Sequence, residues 1–220
     1  MKPSTRVAEV RKMTISDPES VDTCKRGRGR PPETTPEELR SIALELFAAH
    51  GYDATSLTMI ARAAGISRTT LFAYFPTKRD IIWGKHDERR RQLHLFLNSR
   101  TTESIADTIV GALLTLSRYS TAEHEIFTLS YRVAAASPEL RAYSSLNTAD
   151  MADEIIAWAQ SHHPQLNPDL IGYVTYALLA VCMRVIDQWV LTPDPETDLA
   201  CYVAQQLSPL VDALSPLLNS

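Results

Sequence analysis

Residues Thr58 to Lys78 read T-M-I-A-R-A-A-G-I-S-R-T-T-L-F-A-Y-F-P-T-K, and they constrain the fold more than any other stretch. Two short segments with helical apolar spacing flank Gly65. The first begins behind Ser56 and turns Ile60, Ala61 and Ala64 inward; the second begins behind Ser67 and turns Leu71 and Phe75 inward. Serine at each start is an N-cap. Gly65 makes the tight turn between them, where a side chain is expected to clash. Ala61 is small where the two helices must approach, and Pro76 ends the second helix because proline cannot continue one. Two short helices about such a turn make a helix-turn-helix, whose second helix enters the major groove of DNA. Here that helix opens with Ser67-Arg68-Thr69-Thr70, a run of side chains able to hydrogen-bond to DNA.

The flanking sequence extends the pattern. Thr35 is an N-cap, Pro36 suits the first helical position, and Glu38 completes a capping box. Leu39, Ile42, Ala43, Leu46 and Phe47 then recur on one helical face, until His50-Gly51 stops the helix with a left-handed glycine cap. Thr77 caps a fourth helix running to about Asn98. Further helices are expected over 103–120, 123–137, 139–162, 168–191 and 196–218, the last kinked at Pro209. No segment alternates like a strand. The expectation is an all-α chain of about nine helices, divided into an arm (1–34), a three-helix DNA-binding domain (35–83) and a larger helical domain (84–220).

Charge is split along the chain. Residues 1–100 hold 18 Lys/Arg against 12 Asp/Glu, whereas residues 101–220 hold 4 Arg against 14 Asp/Glu, within a net charge of −4. Only the basic half is suited to a polyanion. Its arm ends in Lys25-Arg26-Gly27-Arg28-Gly29-Arg30-Pro31-Pro32, composition that favours disorder. Arg28 and Arg30 are placed to reach into a DNA minor groove, and the Arg28-Gly29-Arg30-Pro31 core resembles an AT-hook.

Other functions find little support. Residues 1–34 are polar, unlike a secretion signal, and the apolar run from Leu170 to Met183 has 14 residues against the ~18 or more of a membrane span. No membrane association and a cytoplasmic location are expected. Cys24, Cys182 and Cys201 are widely spaced, which suits reduced thiols and no metal. No nucleophile elbow, phosphate-cradling glycine loop or zinc-type spacing is present, so neither catalysis nor a cofactor is expected. His162-His163, before Pro164, is read as stabilising a helix C-terminus.

Residues 35–83 closely resemble the DNA-binding domain of TetR-type bacterial transcriptional regulators. The resemblance lies in A-L-E-L-F-A-A-H-G-Y-D-A-T-S and in I-A-R-A-A-G-I-S-R-T-T-L-F-A-Y-F-P-T-K. The C-terminal half is similar to the family in helix count and layout only. Tyr74 to Lys78, Trp83-Gly84 and Ala136-Ser137-Pro138-Glu139-Leu140-Arg141 also resemble actinobacterial members, among them mycofactocin-associated regulators that respond to long-chain acyl-CoA. The resemblance implies a homodimeric repressor on a palindromic operator in double-stranded DNA. An effector held by the C-terminal domain would spread the two heads and release the DNA.

Within that frame Arg68 pairs with guanine or a phosphate, and Thr69 and Thr70 meet base edges or a thymine methyl. The free N–H groups behind Ser67 suit a phosphate. Tyr74 and Lys78 match family positions that contact the DNA backbone, and Thr58 is a further phosphate candidate. Lys78 stands in the first turn of its helix, a poor place for a cation unless it faces an anion. Phe72 departs from the family, which often has tyrosine there. Arg89-Arg90-Arg91 reads as a solvated face.

In the acidic half, Leu170–Leu191 is apolar on nearly every side and must be buried all round. It and the final helix are the expected dimer surface, a four-helix bundle across a two-fold axis through Val174, Leu178, Val181, Val185, Leu207, Leu210, Val211 and Leu214. Arg184 and Asp187 can pair on one helix face. Phe127, Tyr131, Trp158, Tyr176 and Met183 are bulky groups suited to an apolar or acyl-type effector, and one of Arg118, Arg132, Arg141 and Arg184 is available for an anionic head group. The competing reading is an architectural binder of AT-rich minor grooves acting through the Arg-Gly-Arg-Pro arm.

Overall fold

The computed structural model describes residues 35–83, 86–100 and 104–218, with the backbone alone at His86 and Asp87. The described residues are helical, with no strand among them. Ten α-helices follow in order: α1 (Pro36–His50), α2 (Leu57–Ala63), α3 (Arg68–Tyr74), α4 (Lys78–Trp83), α5 (His86–Asn98), α6 (Ile105–Leu116), α7 (His124–Ala136), α8 (Pro138–His162), α9 (Pro168–Leu191) and α10 (Leu199–Leu218), with a 3-10 turn at Thr121–Glu123.

Local hydrogen bonds set the starts. Thr35 Oγ1 accepts from Glu38 N at 3.2 Å while Thr35 N donates to Glu38 Oε2 at 3.0 Å, the expected capping box. Ser56 accepts from Met59 N, and Ser67 from Thr70 N at 3.0 Å. Thr77 and Asp80 cap α4 reciprocally. Gly51 ends α1 at φ 86° and ψ 152°, a region outside the left-handed helical well that is essentially glycine's alone. Gly65 has φ 66°, and a Cβ there would meet nothing within 4 Å. Conformation, not crowding, therefore requires glycine at this turn.

The helix expected over 77–98 is represented by α4 and α5, which stand on either side of residues 84 and 85, outside the described residues. Arg40 of α1 reaches the last described turn of α4. Its Nε donates to Ile81 O at 3.0 Å and its Nη2 to Ile82 O at 2.9 Å.

Helices α1–α4 form a head and α5–α10 a body, and the core of the head is not its own. Leu39, Ala43, Leu44, Phe47, Ile60, Leu71, Ile81 and Ile82 pack with Val133 and Ala134 of α7 and Leu140 of α8. The body core gathers Leu93 and Leu97 of α5, Ile109 and Leu113 of α6, Ile155 and Trp158 of α8, and the inner faces of α9 and α10. Helix α9 is long and apolar enough by composition to cross a membrane. It instead buries Ile171, Val174, Leu178, Cys182, Val185 and Trp189 in this core. Helix α10 continues through Pro209 and Pro216.

Candidate nucleic-acid interface and effector cavity

The head presents one polar face. Ser67, Arg68, Thr69 and Thr70 are all exposed at the start of α3, and Thr58 is exposed at the start of α2. The Ser67 cap also orders Thr70, whose Oγ1 lies 2.8 Å from Ser67 Oγ. Arg68 lies over the Phe72 ring at 5.2 Å, a contact that keeps the guanidinium on the outer face of α3. Tyr74 is 37% exposed, just before the turn into α4. Arg28 and Arg30 lie outside the described residues.

Lys78 is placed differently. Its Nζ donates to Tyr52 O at 2.7 Å and Thr55 O at 3.3 Å and stands 4.0 Å from the Tyr52 ring centroid. The buried Thr55 hydroxyl holds the same loop, through Gly51 O and Leu46 O. The ammonium therefore fastens the α1–α2 loop to the start of α4, and this contact explains a cation at an otherwise unfavourable helix position. Burial, then the nearby Glu139 carboxylate, pushes the Tyr52 hydroxyl up to about 12.

A half-open cavity of about 390 Å³ lies between α5, α6, α7, α8 and α9. Phe127, Tyr131 and Met183, three of the residues named for an effector, line it. Trp158 and Tyr176 do not. Trp158 is buried in the core with its ring stacked on His162, whose Nδ1 lies 2.9 Å from Trp158 O at the end of α8. Tyr176 faces outward, 46% exposed, and donates to Asp153 Oδ1 at 3.3 Å. A smaller space of about 100 Å³ adjoins the cavity and shares Leu116, Ser117, Thr148, Met151, Met183 and Ile186 with it. Tyr131 donates to Asp187, which Arg184 also approaches at 3.5 Å. Burial and that hydrogen bond both raise the Tyr131 pKa.

Two arginines line the cavity. Arg141 is one of the four expected candidates. Arg89, read from sequence as part of a solvated run, is the other, half-buried with its guanidinium 3.6 Å from the Tyr119 ring centroid. Only its neighbours face outward: Arg90 pairs with Asp150 and Glu154, and Arg91 with Glu88. The signal was present, because Arg89, Leu93 and Leu97 recur every four residues and the two leucines are buried. Arg89 and Tyr119 also line a second space of about 270 Å³ against Pro36, Arg40 and Phe75 of the head. Burial lowers the pKa of Arg40 and Arg89 and raises that of Tyr119.

The expected dimer residues divide. Val174, Leu178, Val185 and Leu207 are at most 4% exposed, buried in their own chain's core rather than offered to a partner. Val181, Leu210, Val211 and Leu214 are only partly covered. The outward side of α9 instead shows Tyr173 and Leu191, 71% and 72% exposed. Cys182 and Cys201 are free thiols.

The family model described as bacterial regulatory proteins of the tetR family matches residues 39–82, and the model of the MftR C-terminal domain matches residues 103–215. A Mycobacterium tuberculosis protein named as the mycofactocin biosynthesis transcriptional regulator MftR is 32% identical over 163 residues, covering 73% of this chain and 82% of that protein. Among solved structures, SmeT, the repressor of the Stenotrophomonas maltophilia multidrug efflux pump SmeDEF, superposes with a TM-score of 0.54 at 17% identity, covering 82% of this chain and 90% of its own. Thermus thermophilus FadR in complex with lauroyl-CoA gives 0.50 at 21% identity, covering 80% and 93%. The two family models, which between them span the head and body, and the 32% identity to the mycobacterial relative place this chain in the TetR family of bacterial transcriptional regulators.

Proposed function

We propose that the protein is a cytoplasmic, homodimeric repressor that holds a palindromic operator through two α3 helices and releases it when an apolar or acyl-type effector fills the body cavity. The observation that carries this reading is the double position of Ala134. It lines the cavity and also belongs to the core of the head. Trp83, the last residue of α4, lines the same cavity. A ligand that displaces this wall moves groups on which the head is seated, so occupancy and head orientation are coupled through packed atoms.

On the DNA side, Ser67, Arg68, Thr69, Thr70, Thr58 and Tyr74 are the contacts proposed for α2 and α3. Arg28 and Arg30 add minor-groove contacts, and Lys78 adds a phosphate contact alongside its loop-fastening role. The outer side of α9 with Val181, Leu210, Val211 and Leu214 is the proposed two-fold surface, extended by Tyr173 and Leu191. That MftR is a relative and FadR was solved with lauroyl-CoA supports an acyl-type effector.

Selection of bound duplexes from a random pool, followed by anisotropy titrations and sedimentation, tests the proposal. A palindromic consensus bound by two chains is expected. A consensus without two-fold symmetry, or a monomer on DNA, overturns the repressor-dimer reading.

A further inference from the structure

The head meets the body through two contacts of different kind. The first is the apolar seat of Val133, Ala134 and Leu140. Hydrophobic contact is non-directional, so such a seat holds the head in place without fixing its angle. The second lies roughly one turn beyond Leu140 on α8. There the half-buried Tyr143 meets two residues of α4 at once. The Arg79 guanidinium stands 4.7 Å from its ring centroid, and the Trp83 ring lies 6.0 Å away at an interplanar angle of 36°. Arg79 and Trp83 share one face of α4 by their spacing. A cation over a ring and a tilted ring pair are both directional, because the ring's quadrupole favours some approaches over others.

Helix α4 passes on what Tyr143 imposes. Lys78, in its first turn, is bonded to Tyr52 O and Thr55 O in the α1–α2 loop. Arg40 of α1 is bonded to Ile81 O and Ile82 O. Helix α4 is thus fastened to α1 and to the loop that leads into α2, and α2 packs with α3 through Ile60 and Leu71. A rotation of α4 against α8 therefore turns the reading helix with it. A seat that locates the head and a ring that orients it leave one packed attitude.

In a two-headed protein that attitude is read out on DNA, because a dimer binds half-sites at a separation fixed by its own geometry. One base pair adds ~3.4 Å along the duplex axis, so a shift of ~1.7 Å in each head moves the match by about one base pair. It also turns the next half-site by roughly a tenth of a circle. We infer that Tyr143, through Arg79 and Trp83, sets the angle of the reading head on the body and so determines which half-site spacing the operator must have. Tyr143 is a positioning residue, and what it specifies is spacing rather than base sequence. The inference rests on the two-headed operator reading proposed above.

The test uses the full chain and the half-sites selected from the random pool. They are rebuilt in duplexes at the selected separation and at separations one base pair shorter and one longer, and each is titrated by anisotropy. The wild type is expected to prefer the selected spacing roughly tenfold or more, the scale of a mismatched site. Tyr143→Ala should shrink that preference roughly threefold or more, since a ring contact with a cation is worth a factor of roughly two to five in each of two heads. Base changes within a half-site should keep their wild-type cost. Tyr143→Phe keeps the ring and should keep the preference. Arg79→Met removes the contact from the other side, which keeps the test decisive if Tyr143→Ala does not fold. It should shrink the preference alone and add nothing to Tyr143→Ala, as expected of partners in one contact. Wild-type tolerance of all three spacings overturns the inference. So does a preference unchanged in both variants, or an equal loss of affinity at all three spacings, which is the mark of a merely structural role. Loss of the preference in Tyr143→Phe overturns the ring contact as its cause. A selected site without two-fold symmetry overturns the two-headed reading and the inference with it, whereas a symmetric site whose spacing ignores Tyr143 overturns the inference alone.

Discussion

Replacing Lys78 by methionine separates two roles that the sequence and the structure assign to one side chain. Methionine keeps most of the aliphatic bulk against Tyr52 but removes the ammonium. Two hydrogen bonds to main-chain oxygens are lost, at 2.7 Å to Tyr52 and 3.3 Å to Thr55, together with a ring contact at 4.0 Å. A hydrogen bond to a charged donor contributes roughly 1.5–3 kcal/mol when well buried. Lys78 is only half-buried, so solvent screening reduces the pair to roughly 1–2 kcal/mol in total. The ring contact adds roughly 0.5–1 kcal/mol. A loss of roughly 1.5–3 kcal/mol should lower Tm by roughly 3–12 °C in a chain of this size. Thermal and urea unfolding of the wild type and variant measure it. Operator titration across a salt series measures the second role, because loss of a phosphate contact flattens the log–log slope by ~0.9. A variant with unchanged Tm and urea midpoint refutes the fastening role. A destabilised variant with an unchanged salt slope removes Lys78 from the DNA interface.

Arg68→Ala should relax sequence preference more than it weakens binding to random DNA; equal losses on both, in paired anisotropy titrations, exclude a base-reading role. Removal of residues 1–34 should weaken operator binding and flatten its salt dependence while specificity persists, whereas complete loss of specific binding would favour the minor-groove arm as the main reader. Gly65→Ala should cost only about 1–2 kcal/mol in urea unfolding, the strain of a left-handed residue, because no atom crowds the added methyl; a cost above about 4 kcal/mol would show that the turn is tight after all. Tyr52 is more weakly acidic folded, at about 12, than unfolded, so its contribution is complete below the unfolded value and is lost as pH rises towards 12. The urea midpoint should therefore fall in that alkaline window and not near neutrality, and Tyr52→Phe should make the fall shallower.

The head was readable in detail because its signals are local. Thr35 with Glu38, Ser56, Ser67 and Pro76 each act over three or four residues, and each stands where its spacing placed it. What escaped the sequence depends on phase or on distant partners. An evenly apolar helix such as α9 gives no phase, so Val174, Leu178 and Val185 were assigned to a partner although their own core holds them. Arg89 was hidden in a run of three cations, where counting charge obscured its register with Leu93 and Leu97. The fork of Arg40 onto α4 is invisible locally, because it lies 41 and 42 residues before the carbonyls it meets. Trp158 and Tyr176 share bulk with the true cavity residues, and bulk does not say which side of α8 or α9 a ring occupies.

The seat formed by Val133, Ala134 and Leu140 has a consequence for protein engineering. The simplest chimaera, joining the reading head of one regulator to the sensor of another, is cut in the sequence between them. Here such a cut would strand part of the head's interior on the donor left behind. A functional exchange must transplant a discontinuous module, α1–α4 together with the facing residues of α7 and the start of α8, or redesign those residues to match the incoming head.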